Sequence, residues 1–315
     1  MLPNHARMLP ALIVLLSLMG LPVTVAEEVT VMSYNLENAF DVFDDPYTGD
    51  ESTDAKRSDE MVAIAKAIAS ADPDIVVVQE LENQAMLEGL VRTFLSDAGY
   101  DYIACDRGND GRGINLGIIS RYPIRSITSY RHRTLTHPDA PDRTWRFSRD
   151  AMQITLDVNG QRLDVINVHL KSNSSSPGDE NSKLRRTAEA IMVKSIIREM
   201  TDERPNAYVL LMGDINSNLE ERPEQPRPWP ATAHLRAPES DGSQLLHDAH
   251  DALSFDERIT IPGRGRYPGA VFDYIYASSA LHQNLIAEKS IIVNDPGLVS
   301  GSDHYPVVAT YKIGD

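Results

Sequence analysis

Short apolar runs alternate with amphipathic stretches along most of this chain, and their two periods predict its elements. Residues 29–34, 114–120, 124–130, 151–156, 162–168, 207–212, 272–276, 286–293 and 307–312 read as strands. Residues 74–78 are apolar on both faces, which predicts a short strand buried on both sides. Residues 58–70, 86–98 and 181–200 carry the helical period. Met61, Ile64, Ala65 and Ile68 mark the inward face of the first helix. Leu184, Ala188, Ile191, Ile196 and Met200 mark that of the third. Residues 220–237, rich in proline and polar side chains, and 254–268, with Gly263, Gly265 and several arginines, read as surface loops. Many strands with helices interspersed predict an α/β fold. The expected form is a four-layer α/β sandwich, with two packed, mostly antiparallel β-sheets flanked by helices. There is no glycine-rich strand-to-helix turn early in the chain and no GxxxxGK[ST] segment, which argues against a doubly wound nucleotide fold.

The first residues break this pattern. Residues 9–25 form an uncharged apolar run, and Thr24 and Ala26 are small residues at the −3 and −1 positions of a cleavage site before Glu27. Residues 1–26 therefore read as a secretory signal peptide, with 27–315 as one catalytic domain. The run is short for a membrane span, so the expectation is export to the periplasm or the medium, without stable membrane association after cleavage. Cys105 is the only cysteine, so no intramolecular disulfide forms, and stability must come from core packing, bound metal or both. A hydrophobic content of 42% is ample for a large core. The formal charge of −16 argues against gripping polyanions by bulk electrostatics and makes divalent cations natural partners.

Candidate chemistry collects where apolar strands stop. Asn35 and Glu37 follow the first strand; taken alone, an Asn there is usually a turn residue. Glu80 lies just past the 74–78 run, where burial is costly unless the carboxylate is paired or binds a metal. His169 ends another apolar run, with Lys171 beyond it. After Gly213, Asp214 and Asn216 are two residues apart and can face the same side of an extended segment. Asp273 sits in an aromatic strand and needs a partner; Ser302-Asp303-His304 supplies an imidazole. Each is a modest signal, but polar residues at the ends of so many buried strands suggest one shared cleft suited to a divalent metal and phosphoryl chemistry.

In order, the segments SYNLEN, VVVQELEN, INVHLKS, LMGDINS, FDYIY and SDHYPV resemble the endonuclease/exonuclease/phosphatase superfamily, with its deoxyribonuclease-I-like fold. The resemblance runs from about Val29 to Tyr311. DGRGINLGIISRYPI and LRRTAEA further resemble its secreted bacterial, nuclease-like branch. It implies a metal-dependent phosphodiesterase, most readily an endonuclease with nucleic acid as substrate and no obligate protein partner. The alternatives are a phospholipid or inositol-phosphate hydrolase, and a catalytically silent binding protein. Glu80 would be the main metal ligand, helped by Asn35 and Asp303, for Mg²⁺ with Mn²⁺ as a substitute. His304, polarised by Asp273, would act on the attacking water or the phosphate. Asp214 would orient or deprotonate the water, and Asn216 would hold it with a phosphate oxygen. His169 would donate to the phosphate or the leaving oxygen. Arg149 would bind phosphate. Lys171 and Arg112 stand between substrate contact and plain solvation, and Arg185 and Arg186 are expected on the exposed helix face. Glu37 departs from both an abasic-nuclease Asp and a deoxyribonuclease basic residue, so no second-metal role carries over. An exposed aromatic hairpin would mark a membrane-acting member, and Trp229 between two prolines is the one obvious candidate.

Overall fold

The alternating and helical patterns close into two stacked sheets in the computed structural model, which describes residues 26–50, 53–219 and 229–314. The expected signal peptide lies outside the described residues, apart from Ala26. In chain order the elements are β1 (Glu27–Ala39), α1 (Ser58–Ala71), β2 (Ile75–Leu81), α2 (Gln84–Phe94) and β3 (Tyr102–Asp106). Next come β4 (Asn115–Ser120), β5 (Ile124–Ser129), β6 (Leu135–His137), β7 (Ala140–Trp145), β8 (Ala151–Val158) and β9 (Gln161–His169). Then follow α3 (Lys183–Glu203), β10 (Tyr208–Asp214), α4 (Pro230–Arg236), β11 (Leu246–Asp248) and β12 (Asp273–Ser278). The chain ends with α5 (Ser279–His282), β13 (Ile291–Ile292) and β14 (Val307–Ile313).

One six-stranded sheet has the order β13-β14-β1-β2-β4-β3, the other β11-β12-β10-β9-β8-β5. Each has one parallel pair at its centre, β1 with β2 and β9 with β10, and every other pairing within them is antiparallel. The parallel pairs are joined by α1 and α3, because a parallel return needs a crossover. Val31, Val77, Ile118, Ile154, Val165, Leu210 and Ile275 fill the layer between the sheets. Met32, Val76 and Val78 face α1 and α2. Ile166, Val209 and Leu211 face α3 and α4. Alternate residues of one strand thus serve two cores, which is why these strands read as unbroken apolar runs. The four-layer sandwich is as expected.

Four local expectations fail. The 286–293 run is not one strand: only Ile291–Ile292 pairs with β14, while Ala287–Lys289 makes a 3₁₀ turn. Its apolar ends are tied to β14 by Ile286 N–H to Thr310 O and Val293 N–H to Pro306 O, so the polar middle is free to turn outward. Within 220–237, Pro230–Arg236 is helical, with Pro230 at the first helical position, where it starts a helix rather than breaking one. The third helix buries charge that periodicity cannot see: Arg186, Glu189 and Lys194 are buried, whereas Leu184 and Ile191 are only half-buried. Trp229 is half-buried, with the Arg186 guanidinium 5.4 Å over its ring and Phe272 5.7 Å away.

Candidate active site

The carboxyl ends of both parallel pairs meet at one edge of the sandwich, the place where open α/β sheets present ligand-binding residues. Asn35 comes from β1, Glu80 from β2, His169 from β9 and Asp214 from β10. Registers complete the set. Asp214 pairs with His169 on one side and with Asp273, the first residue of antiparallel β12, on the other. The segment entering β14, which runs antiparallel to β1, supplies Asp303 and His304. Gly213 does not turn the chain as its sequence position suggests; it stays in β10 opposite Val168. A Cβ there would lie 2.0 Å from Val168 O, so only glycine lets the strands run this close and bring Asp214 beside His169. Glu80 and Asn216 hold positive φ, 60° and 51°, a conformation uncommon outside glycine and often found where a side chain is aimed at a site.

The Asn35 amide donates to Asp214 Oδ2 at 3.1 Å and to Glu80 Oε1 at 3.4 Å, while its Oδ1 accepts Glu37 N–H at 3.0 Å. His169 Nε2 lies 3.4 Å from Asp214 Oδ2 and 3.8 Å from Glu80 Oε1, and its Nδ1 is buried without a partner. His304 Nδ1–H donates to Asp273 Oδ2 at 2.8 Å; its Nε2 lies 3.9 Å from both Asp214 and Asp303. Ser302 fixes this turn, donating to Asn35 O and accepting His304 N–H. Asn216 donates from its backbone to Asp214 Oδ1 and from its amide to Asp214 Oδ2 and Leu170 O. All of the expected catalytic and metal-ligating residues therefore assemble in one cluster.

The electrostatics are lopsided. Among the described residues, no lysine or arginine lies within 4 Å of Glu80, Asp214, Asp273 or Asp303; the basic side chains at that range are His169 and His304. Burial and the neighbouring Asp273 push the Asp214 carboxyl up, to about 7. Burial pulls His304 down, but Asp273, Asp214 and Asp303 outweigh it and hold the imidazole up at about 10. Burial, with the charges of Arg149 and others, drives His169 well below the ordinary imidazole value, so it is neutral. Asp214, Asp273 and His304 offer ligand atoms within 4.8 Å of one another, a possible metal-binding group.

The candidate substrate residues flank the cluster. Arg149 is buried, with Nε 3.0 Å from Asp110 and Nη1 donating to Leu170 O. Arg112 is held by the same Asp110 and donates to Asn38 Oδ1 at 3.3 Å. Lys171 Nζ donates to Ser172 and Ser174. Arg186 is not on the exposed face: it is buried and donates to Lys171 O at 2.9 Å, because α3 runs beneath the loop after β9. Arg185 is half-buried and donates to Arg146 O. Two supporting groups escaped the sequence reading. Gln79 donates across the sheets to Asn167 Oδ1 at 2.7 Å, directly behind Glu80 and His169. Buried Glu189 accepts the N–H groups of Ser148 and Lys171, both at 2.6 Å, and so ties together the segments carrying Arg149 and His169. Their signal was a polar residue inside an otherwise apolar stretch. A concavity of about 780 Å³ beside Lys194, Arg198 and Glu239 lies by Ser278, at the other end of β12 from Asp273, and takes no part in the cluster.

A sandwich of this layout, with acids, amides and imidazoles gathered at the carboxyl ends of two parallel strand pairs, defines a deoxyribonuclease-I-like hydrolase fold. Over residues 30–284 the sequence matches the endonuclease/exonuclease/phosphatase family, and the chain belongs to that family. No curated protein matches it by sequence. Similar solved structures include the human nocturnin catalytic domain with bound sulfate, 18% identical over 92% of this chain and 96% of that one, TM-score 0.58. Truncated TDP2 from Caenorhabditis elegans is 18% identical over 91% of this chain and 98% of its own, TM-score 0.55. A mannosyl-6-phosphatase from Bacteroides thetaiotaomicron is 18% identical over 90% and 99%, TM-score 0.54. At these identities the likeness is one of fold.

Proposed function

We propose that this chain is an exported, divalent-metal-dependent phosphodiesterase that cuts nucleic acid by in-line attack of water on phosphorus. The observation that carries the metal-dependent part is the cluster of four carboxylates without a lysine or arginine within 4 Å among the described residues. Asp214 and Asp273 are buried and Glu80 and Asp303 half-buried, and carboxylates taken from water are normally paired or bound to metal. Export rests on the signal-like residues 1–26.

The donor set fits a hard cation such as Mg²⁺, with Mn²⁺ as a substitute. Glu80 and Asp303 would hold it. Asn35 would join them by turning its amide half over, exchanging the Glu37 contact for the ion. The Asp214–Asp273–His304 group suits a cation less well, because Asp273 already occupies His304 Nδ1 and a metal-binding imidazole must be unprotonated. A bound divalent cation would neutralise the non-bridging phosphate oxygens as charge develops on them.

The remaining chemistry belongs to side chains. Asp214, held by the backbone and amide N–H groups of Asn216, is placed to orient the attacking water and take its proton, and its raised pKa suits a base at neutral pH. Asp273 fixes the His304 ring so that Nε2 faces the cluster, where the charged imidazole can stabilise the phosphate. Neutral His169 can donate one hydrogen bond to the phosphate or the leaving oxygen. Arg149, Arg112 and Lys171 supply positive charge along one side and support a polyanionic substrate.

A second reading, a phospholipid head-group hydrolase, is favoured by one observation. Val42, Phe43 and Tyr47 are 80%, 77% and 81% exposed on the loop after β1. Asp41, Asp44, Asp45 and Asp50 share that loop, which suits a zwitterionic head group better than an anionic one. Supercoiled plasmid incubated with Mg²⁺, with excess EDTA, and with His304→Ala protein tests the first reading. Metal-dependent nicking lost in the variant supports it. Absence of nicking, with release of phosphocholine from sphingomyelin vesicles, would replace it with the second.

A further inference from the structure

Residues 259–270 carry no role in the mechanism above, yet they are rooted in the catalytic cluster. Thr260 Oγ1 accepts the N–H of Asp273 at 3.2 Å and of Phe272 at 3.0 Å, and Thr260 O accepts the N–H of Tyr305 at 2.7 Å. The base of this segment is therefore bonded to the residue that holds His304 and to the residue that follows it. From there the chain makes a hairpin, with Ile261 bridged to Ala270 and Arg264 bridged to Tyr267 at the tip. Gly265, at φ +59°, allows the two-residue turn.

The tip is chemically distinct from the rest of this acidic chain. No Asp or Glu occurs from Ile259 to Phe272, while Arg264 and Arg266 both do. Residues 263–268 are exposed, and Tyr267 is 64% exposed. Arg266 lies 5.1 Å over the Tyr267 ring and donates to its hydroxyl at 3.0 Å, forming one flat plate. Neither Arg264 nor Arg266 has a carboxylate within 4 Å among the described residues, and the charge of Arg264 is felt by Glu37 beside the metal-ligand candidates. A surface arginine in a chain of charge −16 would ordinarily pair with an acid; these two have no carboxylate within 4 Å among the described residues and stand on a hairpin rooted in the catalytic cluster.

We infer that the 261–270 hairpin is the platform that holds a single strand of nucleic acid beside the scissile phosphate. Arg264 and Arg266 contact neighbouring phosphates, and Tyr267, backed by Arg266, presents a face on which a base stacks. The tip exposes one aromatic ring beside two guanidinium groups and no wider apolar surface, a platform of the size of a few nucleotides. The inference rests on the nuclease reading and deepens it by naming the strand state of the substrate.

The test uses the mature protein with Mg²⁺ and two substrates. One is bis(p-nitrophenyl) phosphate, too small to reach the hairpin; the other is a single-stranded oligodeoxynucleotide of about 12 nucleotides, within the usual reach of such platforms. The readout is the ratio of kcat/KM for the oligonucleotide to that for the small diester, over a salt series. Arg264→Ala/Arg266→Ala should lower the ratio at least about tenfold and make the log–log salt slope shallower by about 1.4, for two lost phosphate contacts. Tyr267→Ala should lower the ratio about tenfold with little change of slope. Wild-type cleavage of the oligonucleotide with an unchanged ratio in all variants would overturn the hairpin and leave the nuclease reading standing. So would an equal loss on both substrates, which would mark the hairpin as a prop for Asp273. Hydrolysis of the small diester without any cleavage of nucleic acid would sink the nuclease reading and this platform together.

Discussion

Asp164 and Asp214 stand on neighbouring parallel strands, both buried, and meet opposite surroundings. Burial pushes Asp164 up, but Arg162, Thr155, Gln153 and Arg204 all donate to it and hold its carboxyl below the usual range. Asp248 follows the same plan, contacting Arg258 and lying 3.1 Å from Arg236. Asp214 is hydrogen-bonded by amide and backbone N–H groups, lies near two imidazoles and two other carboxylates, and titrates high. The fold therefore knows how to neutralise a buried carboxylate, and does so where the role is structural. Where four carboxylates collect with no lysine or arginine within 4 Å among the described residues, the charge deficit is itself the functional signal.

The comparison breaks most visibly in activity. Glu80→Ala and His304→Ala should each lower kcat about 10²–10⁴-fold, the scale of losing a positioned acid, base or charge-stabilising group. Glu80→Ala should not lower the stability of the metal-free protein, because it removes one of several like charges, whereas His304→Ala leaves Asp273 buried without its imidazole and should destabilise it. Steady-state rates and chemical denaturation check the two halves, and full activity in either variant would end the proposed mechanism. Asp248→Ala is the mirror experiment. It leaves Arg258 buried without its main partner, so it should cost about 3–5 kcal/mol in denaturant unfolding with kcat per folded molecule unchanged. If Asp248→Ala kept its stability, the structural half of the comparison would fail.

Stability against pH sharpens the contrast. Asp214 and His304 both titrate above their unfolded values, about 3.9 and 6.5, so each stabilises the fold fully below its unfolded value and loses that stabilisation as pH rises through its folded value. The metal-free protein should therefore lose stability between about pH 4 and 7, on the order of 2–4 kcal/mol from Asp214, with a further decline above about 6.5 from His304. Asp164 acts the other way: its contribution is present above about pH 4 and disappears as pH falls through its depressed value. Mg²⁺ should flatten the upper decline, and Asp214→Asn should reduce it. Denaturant titrations in EDTA that show stability rising from about pH 5 to 7, unaltered in Asp214→Asn, would contradict the assignment of the charge deficit to this cluster.

The central strands were legible because they are apolar on both faces and the helices on one, so period located them, whereas the short or exposed strands β3, β6, β7 and β11 carry no such run and were not expected. The catalytic residues were legible because each follows such a run and the ordered motifs match one superfamily. What remained hidden depends on contacts between distant segments. Gln79 and Asn167 interrupt apolar strands in a way that only the stacking of two sheets explains. Gly213 looks like a turn glycine until Val168 is seen to leave no room for a Cβ. Arg186 reads as part of an exposed helix face, and Glu189 goes unnoticed, because periodicity counts apolar side chains and cannot see backbone groups that need partners.

Glu189 offers the finest test of where structure ends and function begins. Its carboxylate accepts two backbone N–H groups, one beside Arg149 and the other two residues after His169. In Glu189→Gln one amide oxygen can still accept, but the NH₂ group must face the second N–H. One donor is then left unsatisfied at a cost of about 1–3 kcal/mol. A purely structural carboxylate would show that loss alone, with kcat per folded molecule unchanged. A positioning carboxylate would also let the Arg149 and His169 segments drift apart, so kcat should fall about tenfold, as small misplacements of catalytic groups do. The Mg²⁺ concentration giving half-maximal rate should stay the same, since Glu80 and Asp303 are untouched. A shift in that concentration, or an unchanged kcat with the stability loss, would return Glu189 to the company of Asp164.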